Sequence, residues 1–547
     1  MAGAAAANEI IFYSIEGQEG LFGKNLNGIW FSFGNKTAQF IFSAKLKAEQ
    51  FFKEAEKIFS DQKIKKISHD IKRQMHIFDG FGAEINGELC DIMIAAYVLN
   101  PGTRGYDLER LAIDYLKKQL SKNIIMDLAM LKELFAKKIE EEKLGKIFYE
   151  IEMPLLPVLF RMEKNGIKVD KEKLDGLSVD FGRRLRKIDK EIRELAGEEF
   201  NIDSPQQLKT ILYDKMGLKP ASGRIRRGKT GLSTAASELE KLAGGHPIVD
   251  LIFEHRELAK LKNTYIDALP KLLDKAGRAH TSFNQTITST GRLSSSNPNL
   301  QNIPIKTELG RQIREAFAAE RGNILVSLDY SQIELRLAAV LAGERHMLNA
   351  FFRGDDIHRQ TAAEIFNLPA EGVTKEMRSR AKTINFGVLY GMGAAGLAAA
   401  TKMTRTEAED FLTRYYAGHP AIMEYVERTK ALAHKIGYVE TLFGRRRYLP
   451  EIRSHIEPIR AAAERMAINM PIQGTAADII KMAMIEIDKN ICSKDIKIVL
   501  QVHDELVFEV KKGTEKQAAR DIREIMENIY KFEVPLKVEV EIGERWR

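Results

Sequence analysis

The sequence is poor in cysteine and has no long hydrophobic run. Cys90 and Cys492 are the only cysteines among 547 residues, and they lie far apart. We therefore expect neither a disulfide framework nor a cysteine metal site, which is typical of an intracellular setting. No apolar stretch approaches the roughly 18 residues of a membrane-spanning helix, and the first residues lack the basic and apolar regions of a secretory signal. These absences argue against membrane and secreted proteins.

Length and charge set only wide limits on the protein class. A chain of 547 residues is too long for one hydrophobic core, and about three or four domains are expected. Apolar residues make up 44% and charged residues 29% of the chain, which is a globular balance. The net charge of +8 is compatible with a polyanionic partner but is common in proteins that have none.

The sequence pattern changes twice along the chain. Residues 8 to 122 alternate short strand-like runs with helical stretches, which predicts an α/β domain. Residues 123 to 280 are rich in Lys and Arg and show 3.6-residue periodicity, which predicts a long, basic, helical arm. From residue 281 a polar loop, a strand leading into a helix, a helical block to about residue 435 and a late hairpin follow. We expect the chemistry in this last part.

Two glycine-rich motifs resemble nucleotide-binding loops. GRIRRGKT at 223 to 230 fits the phosphate-loop pattern, but no apolar strand precedes it, so we expect a flexible basic loop. GMGAAG at 391 to 396 fits the dinucleotide pattern, but no acid follows at a strand end about twenty residues later. A junction between a helix and a loop is the better interpretation of this second motif.

Two acidic segments are the strongest candidates for chemistry. An apolar run ends at Asp329, where a strand is expected to meet a helix, and β-rich runs flank His503, Asp504 and Glu505 in a hairpin. Each acid alone is also an ordinary surface or turn residue. If the two segments share a sheet, Asp329 and Asp504 meet. Facing carboxylates repel unless cations bridge them, and a pair of Mg²⁺ ions can activate a hydroxyl and stabilise a departing pyrophosphate.

A third segment carries cations and aromatic rings at helical spacing. Arg378, Lys382, Phe386 and Tyr390 recur every four residues and would form one stripe on a helix. Cations can neutralise the phosphates of a nucleoside triphosphate while aromatic rings pack on its sugar and base. The alternative is a helix whose aromatic rings are buried in the core while its Arg and Lys side chains extend to place their charged ends in solvent.

Together these segments closely resemble the signature motifs of family A DNA polymerases, of the bacterial DNA polymerase I large-fragment type. The core motifs are DYSQIELR (329 to 336), R-x₃-K-x₇-Y-G from Arg378 to Gly391, and VHDEL (502 to 506). The resemblance runs from about residue 150 to the C-terminus, and its further matches are TGRLSSSNPNLQNIP (290 to 304), DIHRQTAAE (356 to 364), GRRRYLPEI (444 to 452) and ERMAINMPIQGTAADII (464 to 480).

The resemblance implies an α/β multidomain fold. This is a right-hand polymerase with palm, fingers and thumb, preceded by an RNase H-like 3′–5′ exonuclease-type domain. The implied segments are 1–140 for a degenerate exonuclease-like domain, 141–280 for the thumb, 281–345 for the first part of the palm, 346–437 for the fingers and 438–547 for the second part of the palm.

The implied activity is DNA-directed DNA synthesis from a primer 3′-hydroxyl by two-metal-ion nucleotidyl transfer. The expected cofactor is a pair of Mg²⁺ ions, for which Mn²⁺ can substitute, and the expected partners are primer-template DNA and deoxynucleoside triphosphates. A monomer in the cytoplasm, associated with the nucleoid and not with a membrane, is expected. The alternatives are a single-subunit RNA polymerase and a catalytically dead protein that only binds DNA.

The family also implies a role for each matching residue. Catalysis is assigned to Asp329, Asp504, Glu505 and Lys382, and metal binding to Asp329, Tyr330 and Asp504. Binding of the triphosphate, sugar and base of the incoming nucleotide is the role implied for Arg378, His358, Phe386, Glu334, Tyr390 and Gln332. Primer and template are assigned to Arg292, Arg465, Asn469, Gln473, His503, Asn299 and Gln301. Among these, Glu334 would exclude ribonucleotides by crowding the 2′ position.

The exonuclease-like part departs from the family pattern. Ser14 and Glu16 stand where the family has its first Asp-x-Glu, and Gln74 stands at the second acid. Asp91 and Asp127 are acidic but are not securely aligned. We expect a vestigial domain without proofreading. No segment resembles the 5′ nuclease domain of the family.

Overall fold

The computed structural model describes most of the chain, in two compact units. The first unit comprises residues 1–165, 282–296 and 326–542, and the second comprises 166–281, 297–325 and 543–547. No helix in the described part of the chain is long and apolar enough to cross a membrane. The described residues are 8–16, 26–34, 36–43, 47–103, 105–220, 225–228, 231–305, 307–366, 368–401 and 403–546.

The first unit begins with an α/β sheet, as the sequence predicts. Its elements are β1 (Glu9–Glu16), β2 (Leu26–Phe33), β3 (Lys36–Ile41), α1 (Ala48–Phe59), β4 (Lys65–Ser68), α2 (Ile71–Gly80), β5 (Leu89–Asp91), α3 (Ile92–Leu99), α4 (Leu108–Leu116) and α5 (Ile124–Glu141). The strand order is β3-β2-β1-β4-β5. Strands β1 to β3 pair antiparallel, whereas β4 runs parallel to β1 and β5 parallel to β4. Phe12, Phe52 and Phe78 pack in its core.

A π-helical segment and a helix follow within the first unit. The π-helical segment is Lys146–Glu152, and it continues directly into α6 (Met153–Asn165). Its last residue, Glu152, is buried.

The second unit is mostly helical, but the stretch 123 to 280, which the sequence predicts as one helical arm, is divided between the two units, since α5 and α6 belong to the first. Its elements up to residue 281 are β6 (Ile167–Val169), α7 (Lys171–Ala196), α8 (Pro205–Lys209), β7 (Arg227–Gly228), β8 (Gly231–Leu232), α9 (Ala236–Leu239), α10 (Pro247–Leu261) and β9 (Arg278–Ala279). Helix α7 begins where Asp170 accepts a hydrogen bond from Lys173 N and ends at Gly197, which has a positive φ. Half of the GRIRRGKT motif (223, 224, 229 and 230) lies outside the described residues, and Arg227 and Gly228 form β7, so its interpretation as a flexible loop stays a prediction.

The polar segment after residue 281 contains more structure than the predicted loop. Its elements are β10 (Ser282–Asn284), β11 (Ser294–Ser296), α11 (Glu308–Arg314), β12 (Phe317–Ala318), β13 (Asn323–Tyr330) and α12 (Ile333–Ala342). Strand β11 pairs antiparallel with β10. The serine-rich run lacks the apolar alternation that signals a strand, which is why the sequence did not predict it. In the second unit β12 completes a sheet of order β12-β6-β9.

A helical block confirms the prediction for residues up to about 435. It consists of α13 (Arg345–Arg353), α14 (Ile357–Phe366), α15 (Lys375–Leu389), α16 (Ala394–Thr401), α17 (Arg405–Gly418) and α18 (Pro420–Ile436). Ile384, Val388, Leu397 and Phe411 form part of a core cluster between α15, α16 and α17. The GMGAAG motif joins α15 to α16, so the junction between a helix and a loop is confirmed.

The predicted hairpin forms and joins the strand of Asp329. The last elements are β14 (Tyr438–Glu440), β15 (Arg446–Tyr448), α19 (Glu457–Asn490), β16 (Ile496–Val502), β17 (Glu505–Lys511), α20 (Glu515–Asn528) and β18 (Val538–Gly543). Strands β16 and β17 pair antiparallel, and the sheet order is β16-β17-β13-β18. The strand that carries Asp329 is therefore the neighbour of the hairpin. The division into five segments stays a prediction.

Candidate active site

A backbone hydrogen bond joins the two acidic segments. Tyr330 N, at the end of β13, donates to Asp504 O in the hairpin turn at 3.2 Å. His503 has a φ of +54°, and this left-handed conformation makes the tight turn possible. The two segments therefore share a sheet, which is the condition under which the sequence predicts that Asp329 and Asp504 meet.

The pKa values of both carboxylates are raised, and burial is the first cause for each. Burial, and then the negative charges of Asp504 and Glu505, raise the pKa of Asp329 to about 7, although its side chain is still reached by solvent. Burial also raises the pKa of Asp504. Asp504 Oδ1 is buried and has no hydrogen-bond partner in the described part of the chain. A buried acceptor without a partner is costly, so this pair favours a bound cation.

The oxygen atoms at this site fit Mg²⁺. Among the described residues there is no group of three or more His, Cys, Asp or Glu side chains that could hold a metal. Mg²⁺ does not need such a group, because it usually takes one or two protein carboxylates and completes its shell with water and phosphate oxygens. The hydroxyl of Tyr330 donates to Met526 O at 2.8 Å, so a metal-binding role for Tyr330 depends on its carbonyl oxygen.

The predicted stripe of cations and aromatic rings lies on α15 and its C-terminal cap. Thr374 caps the helix by accepting from Met377 N, and Tyr390 is the residue after its last turn. Lys382 is exposed, and within the described residues it has no hydrogen-bond or ion-pair partner. The rings of Phe386 and Tyr390 are partly exposed, with centroids 6.2 Å apart. The stripe is therefore open to a ligand.

Arg378 and His358 are held by neighbours that the sequence did not single out. Arg378 Nε lies 2.5 Å from Asp356 Oδ2. His358 is buried on α14, and Asn385 Nδ2 donates to its Nδ1 at 3.1 Å. Burial, and then the charge of Arg378, lower the pKa of His358 to about 4. The neutral ring thus carries its proton on Nε2, which has no partner among the described residues.

Glu334 connects three residues to which the family assigns separate roles. It lies on α12, and it accepts hydrogen bonds from Arg292 Nη2 and from the Tyr390 hydroxyl. Burial raises the pKa of Glu334 to about 7, while Arg292 opposes this shift. Gln332, the N-cap of α12, has a φ of +55° and a buried Oε1 without a partner in the described structure. No local sequence signal predicted this cluster.

One face of α19 carries the predicted DNA contacts. Arg465, Asn469 and Gln473 follow each other at intervals of four residues, so they share a face of this helix. Arg465 is exposed, and Asn469 Oδ1 is a buried atom with no partner among the described residues. Gly391 packs against α19, because a Cβ at that position would lie 2.9 Å from Ile468 Cδ1. The face thus begins beside the end of α15.

The remaining predicted DNA contacts lie in two places. His503 is an exposed residue of the turn that contains Asp504. Asn299 and Gln301 belong to the second unit, where Gln301 N donates to Asn299 Oδ1 at 3.1 Å.

The candidate exonuclease residues form hydrogen bonds and ion pairs with other residues of the chain. Ser14 N donates to Gln74 Oε1 at 3.2 Å, and both residues are buried. Asp127 Oδ1 lies 2.5 Å from Lys118 Nζ. Asp91 caps α3 and also accepts from Ile71 N at 2.6 Å. The side chain of Glu16 lies outside the described part, so these contacts concern the other positions only.

Comparison with known proteins matches this fold. Residues 171–547 match the family model for DNA polymerase family A, and residues 24–126 match the ribonuclease H-like domain of DNA polymerase I. A solved structure, the POL domain of Pol1 from M. smegmatis in complex with DNA primer-template and dNTP, is similar with a TM-score of 0.91 and 34% identity, over 100% of this chain and 96% of that one. The chain thus has a mixed α/β polymerase domain and an RNase H-like domain.

Curated relatives agree with these matches. The thermostable DNA polymerase I of Thermus thermophilus is 50% identical over 408 residues, which are 74% of this chain and 49% of the relative. DNA polymerase I of Pseudomonas aeruginosa is 41% identical over 523 residues, which are 89% of this chain and 57% of the relative. The chain therefore belongs to DNA polymerase family A, and it spans about half the length of the curated relatives it matches.

Proposed function

We propose that this protein extends the 3′-hydroxyl of a DNA primer on a DNA template with deoxynucleoside triphosphates. The observation that carries the proposal is the acid pair, Asp329 and Asp504, on segments joined by the bond from Tyr330 N to Asp504 O. Membership of the family supports it. So does the likeness to a polymerase that binds primer-template DNA and dNTP.

Asp329, Asp504 and the carbonyl oxygen of Tyr330 would hold two Mg²⁺ ions, for which Mn²⁺ can substitute. When bound, such ions supply the positive charge that activates the primer hydroxyl and stabilises the departing pyrophosphate. The unpartnered Asp504 Oδ1 and the raised pKa of Asp329 support this assignment, because a bound cation would stabilise both a buried acceptor and an acid whose pKa is raised by burial and by the charges of Asp504 and Glu505. Glu505 adds a third acid whose charge also raises the pKa of Asp329.

The cations of α15 bind the triphosphate. Lys382 is already free of internal partners in the described structure and meets the α-phosphate. Arg378 exchanges its bond to Asp356 for the outer phosphates. His358 donates from Nε2 as a neutral imidazole, a role that its pKa of about 4 supports. Charge-assisted hydrogen bonds of this kind are the usual means of holding phosphate.

Aromatic and acidic groups select the sugar and the base. Phe386 packs on the sugar, and Tyr390 stacks at the template position of the new pair. Glu334 crowds the 2′ position and excludes ribonucleotides, while Gln332 offers a free acceptor nearby. The bonds from Arg292 and Tyr390 to Glu334 support a fixed position for this carboxylate.

Polar groups bind primer and template without reading their sequence. The residues that serve this role are Arg292, Arg465, Asn469, Gln473 and His503 in the first unit, and Asn299 and Gln301 in the second. Contacts to phosphates and the minor groove position a duplex largely independently of sequence. The buried, unpartnered Asn469 Oδ1 supports a ligand on this face of α19.

The RNase H-like domain is proposed to lack proofreading activity. An exonuclease of this kind needs a cluster of acids for its own metal pair. Ser14 and Gln74 bond to each other, and Asp127 and Asp91 are already bonded to internal donors. We also predict no 5′ nuclease activity from this chain, which a flap-cleavage assay checks.

The organisation of the chain follows from the same proposal. We infer an exonuclease-like domain over 1–140, a thumb over 141–280, palm segments over 281–345 and 438–547, and fingers over 346–437. A cytoplasmic, nucleoid-associated monomer is proposed, which light scattering of the purified chain and localisation of a tagged copy check.

Extension of a 5′-labelled primer tests the proposal. The purified chain is given Mg²⁺ with deoxynucleotides or ribonucleotides, on a matched and on a 3′-mismatched primer. Template-dependent growth with deoxynucleotides only, without trimming of the mismatch, is expected. Growth with ribonucleotides indicates an RNA polymerase, trimming restores the exonuclease, and binding without growth indicates a protein that only binds DNA.

A further inference from the structure

Four charged side chains form a buried cluster in the first unit, distinct from the acid pair. Its members are Glu152, Arg445, Asp478 and Lys481, and each is at most 2% exposed. Arg445 Nη2 lies 2.5 Å from Glu152 Oε1 and 2.7 Å from Asp478 Oδ1. Lys481 Nζ lies 2.6 Å from Glu152 Oε1. Two cations thus balance two anions in the interior.

Neutral groups add hydrogen bonds to this buried cluster, although Arg445 Nη1 has no partner among the described residues. Gln285 Nε2 donates to Glu152 Oε2 at 2.6 Å. Thr441 Oγ1 donates to Asp478 Oδ2 at 2.9 Å and lies 3.1 Å from the backbone N of Arg445. Burial alone would raise the pKa of Glu152, but Lys481 and Arg445 lower it to about 2. The carboxylate is therefore ionised at neutral pH.

Stability alone does not account for such a cluster. Well-packed apolar residues of similar volume are often as stabilising as a buried ion pair, because charges pay a large desolvation cost. Hydrogen-bonded charges do, however, fix the geometry of the elements that carry them. Here those elements are the π-helical segment, the connection between β14 and β15, and α19.

The cluster also holds the chain segment that ends at Arg292. Gln285 is bound to Glu152 at the start of this segment. Gly291 packs on the guanidinium, since a Cβ there would lie 2.5 Å from Arg445 Nε, and its φ is +85°. Between these points Tyr97 donates to Thr288 O at 2.9 Å. Thr288 Oγ1 in turn donates to Arg292 O at 2.6 Å.

We infer that Arg445, fixed between Glu152 and Asp478, is a positioning residue for Arg292. Arg445 contacts Gly291, and Arg292 bonds to Glu334, which also holds Tyr390. The cluster therefore sets where three groups of the candidate active site lie, without touching substrate. This inference rests on the proposed function.

A double-mutant cycle tests the inference. The rate of adding one deoxynucleotide to a primer-template with Mg²⁺ is measured for the wild type, Arg445→Lys, Arg292→Ala and the double variant. Lysine keeps the charge, but its single Nζ cannot replace both Nε, which bonds Asp478, and Nη2, which bonds Asp478 and Glu152. We expect a loss of about tenfold for Arg445→Lys, and of less than about twofold when Arg292 is already alanine, as for coupled neighbours. The inference is overturned if Arg445→Lys lowers the rate equally in both backgrounds, or if Arg292→Ala by itself does not lower the rate.

Two further variants separate positioning from folding. Arg446→Lys is the matched control, because the next arginine pairs with Glu142 and Glu440 instead, and a loss below about twofold is expected. Thr441→Val keeps all four charges and is used if Arg445→Lys does not fold. The loss of rate that Thr441→Val causes must also vanish in the Arg292→Ala background. An equal loss of rate in both backgrounds overturns the inference. A wild type that adds no nucleotide refutes the proposed function and the inference with it, whereas additive variants of an active enzyme refute the inference alone.

Discussion

The Tyr390 hydroxyl donates a hydrogen bond to Glu334, whose other oxygen accepts one from Arg292. Glu334 is therefore fixed between a residue at the end of α15 and one in the loop between β10 and β11. A carboxylate held in this way is suited to exclude a 2′-hydroxyl by its size. The family resemblance implies contacts of the three residues with different parts of the substrates, and in the structure hydrogen bonds join their side chains.

Size, not charge, of Glu334 is expected to determine sugar selection. Glu334→Ala opens the space beside the 2′ position and should raise ribonucleotide incorporation at least about tenfold. Glu334→Gln keeps the size and should change incorporation by less than about threefold. The ratio of kcat/KM for a ribonucleotide and its deoxynucleotide is the measurement. Equal effects of both variants would show that selection depends on charge.

Lys382 should matter for catalysis and not for stability. It is exposed and has no ion-pair partner in the described structure, so Lys382→Ala should leave the Tm unchanged. Loss of one cation at the reacting phosphate should slow nucleotide addition by about a hundredfold or more. Lys375→Ala, at the start of the same helix, is the control. A large fall in Tm, or a small fall in rate, contradicts this role.

His358 should make the folded protein sensitive to acid. Its folded pKa of about 4 lies below the ordinary value of 6.5, so the unfolded chain binds the proton more readily. The stabilisation is complete above pH 6.5 and is lost as pH falls toward 4, with a magnitude of about 3 kcal/mol. His358→Gln should flatten the fall in unfolding free energy over that window, as urea unfolding at several pH values measures. Parallel curves for the two proteins would be inconsistent with a buried neutral histidine.

The local patterns of the sequence predicted most of the backbone at the candidate site. Asp329 at the end of a strand and Asp504 in a hairpin follow from apolar runs and turn residues, which are signals between near neighbours. The pairs that hold the site together join distant residues. Arg292 and Glu334 are 42 positions apart, and Glu152 and Arg445 are 293 apart. Such side-chain pairs leave no periodic trace, so only the folded chain reveals them.

Breaking the buried cluster should destabilise the fold. Glu152→Gln leaves Arg445 and Lys481 without their shared carboxylate, and it should lower the free energy of unfolding by about 3 to 5 kcal/mol. Adding Lys481→Met removes one uncompensated cation and should restore part of this loss. Urea unfolding of the single and double variants measures both effects. A double variant less stable than Glu152→Gln would contradict this balance of charges.

The central claim is that Asp329 and Asp504 hold the metal ions of nucleotide addition, and single-turnover addition on a primer-template tests it most directly. The wild type, Asp329→Asn and Asp504→Asn are compared across a Mg²⁺ titration, with the Kd for DNA measured in parallel. We predict that the wild type requires the metal, and that each variant binds DNA within about threefold of wild type but adds nucleotide about a thousandfold more slowly or worse. Addition by either variant at a rate near that of the wild type would contradict the account.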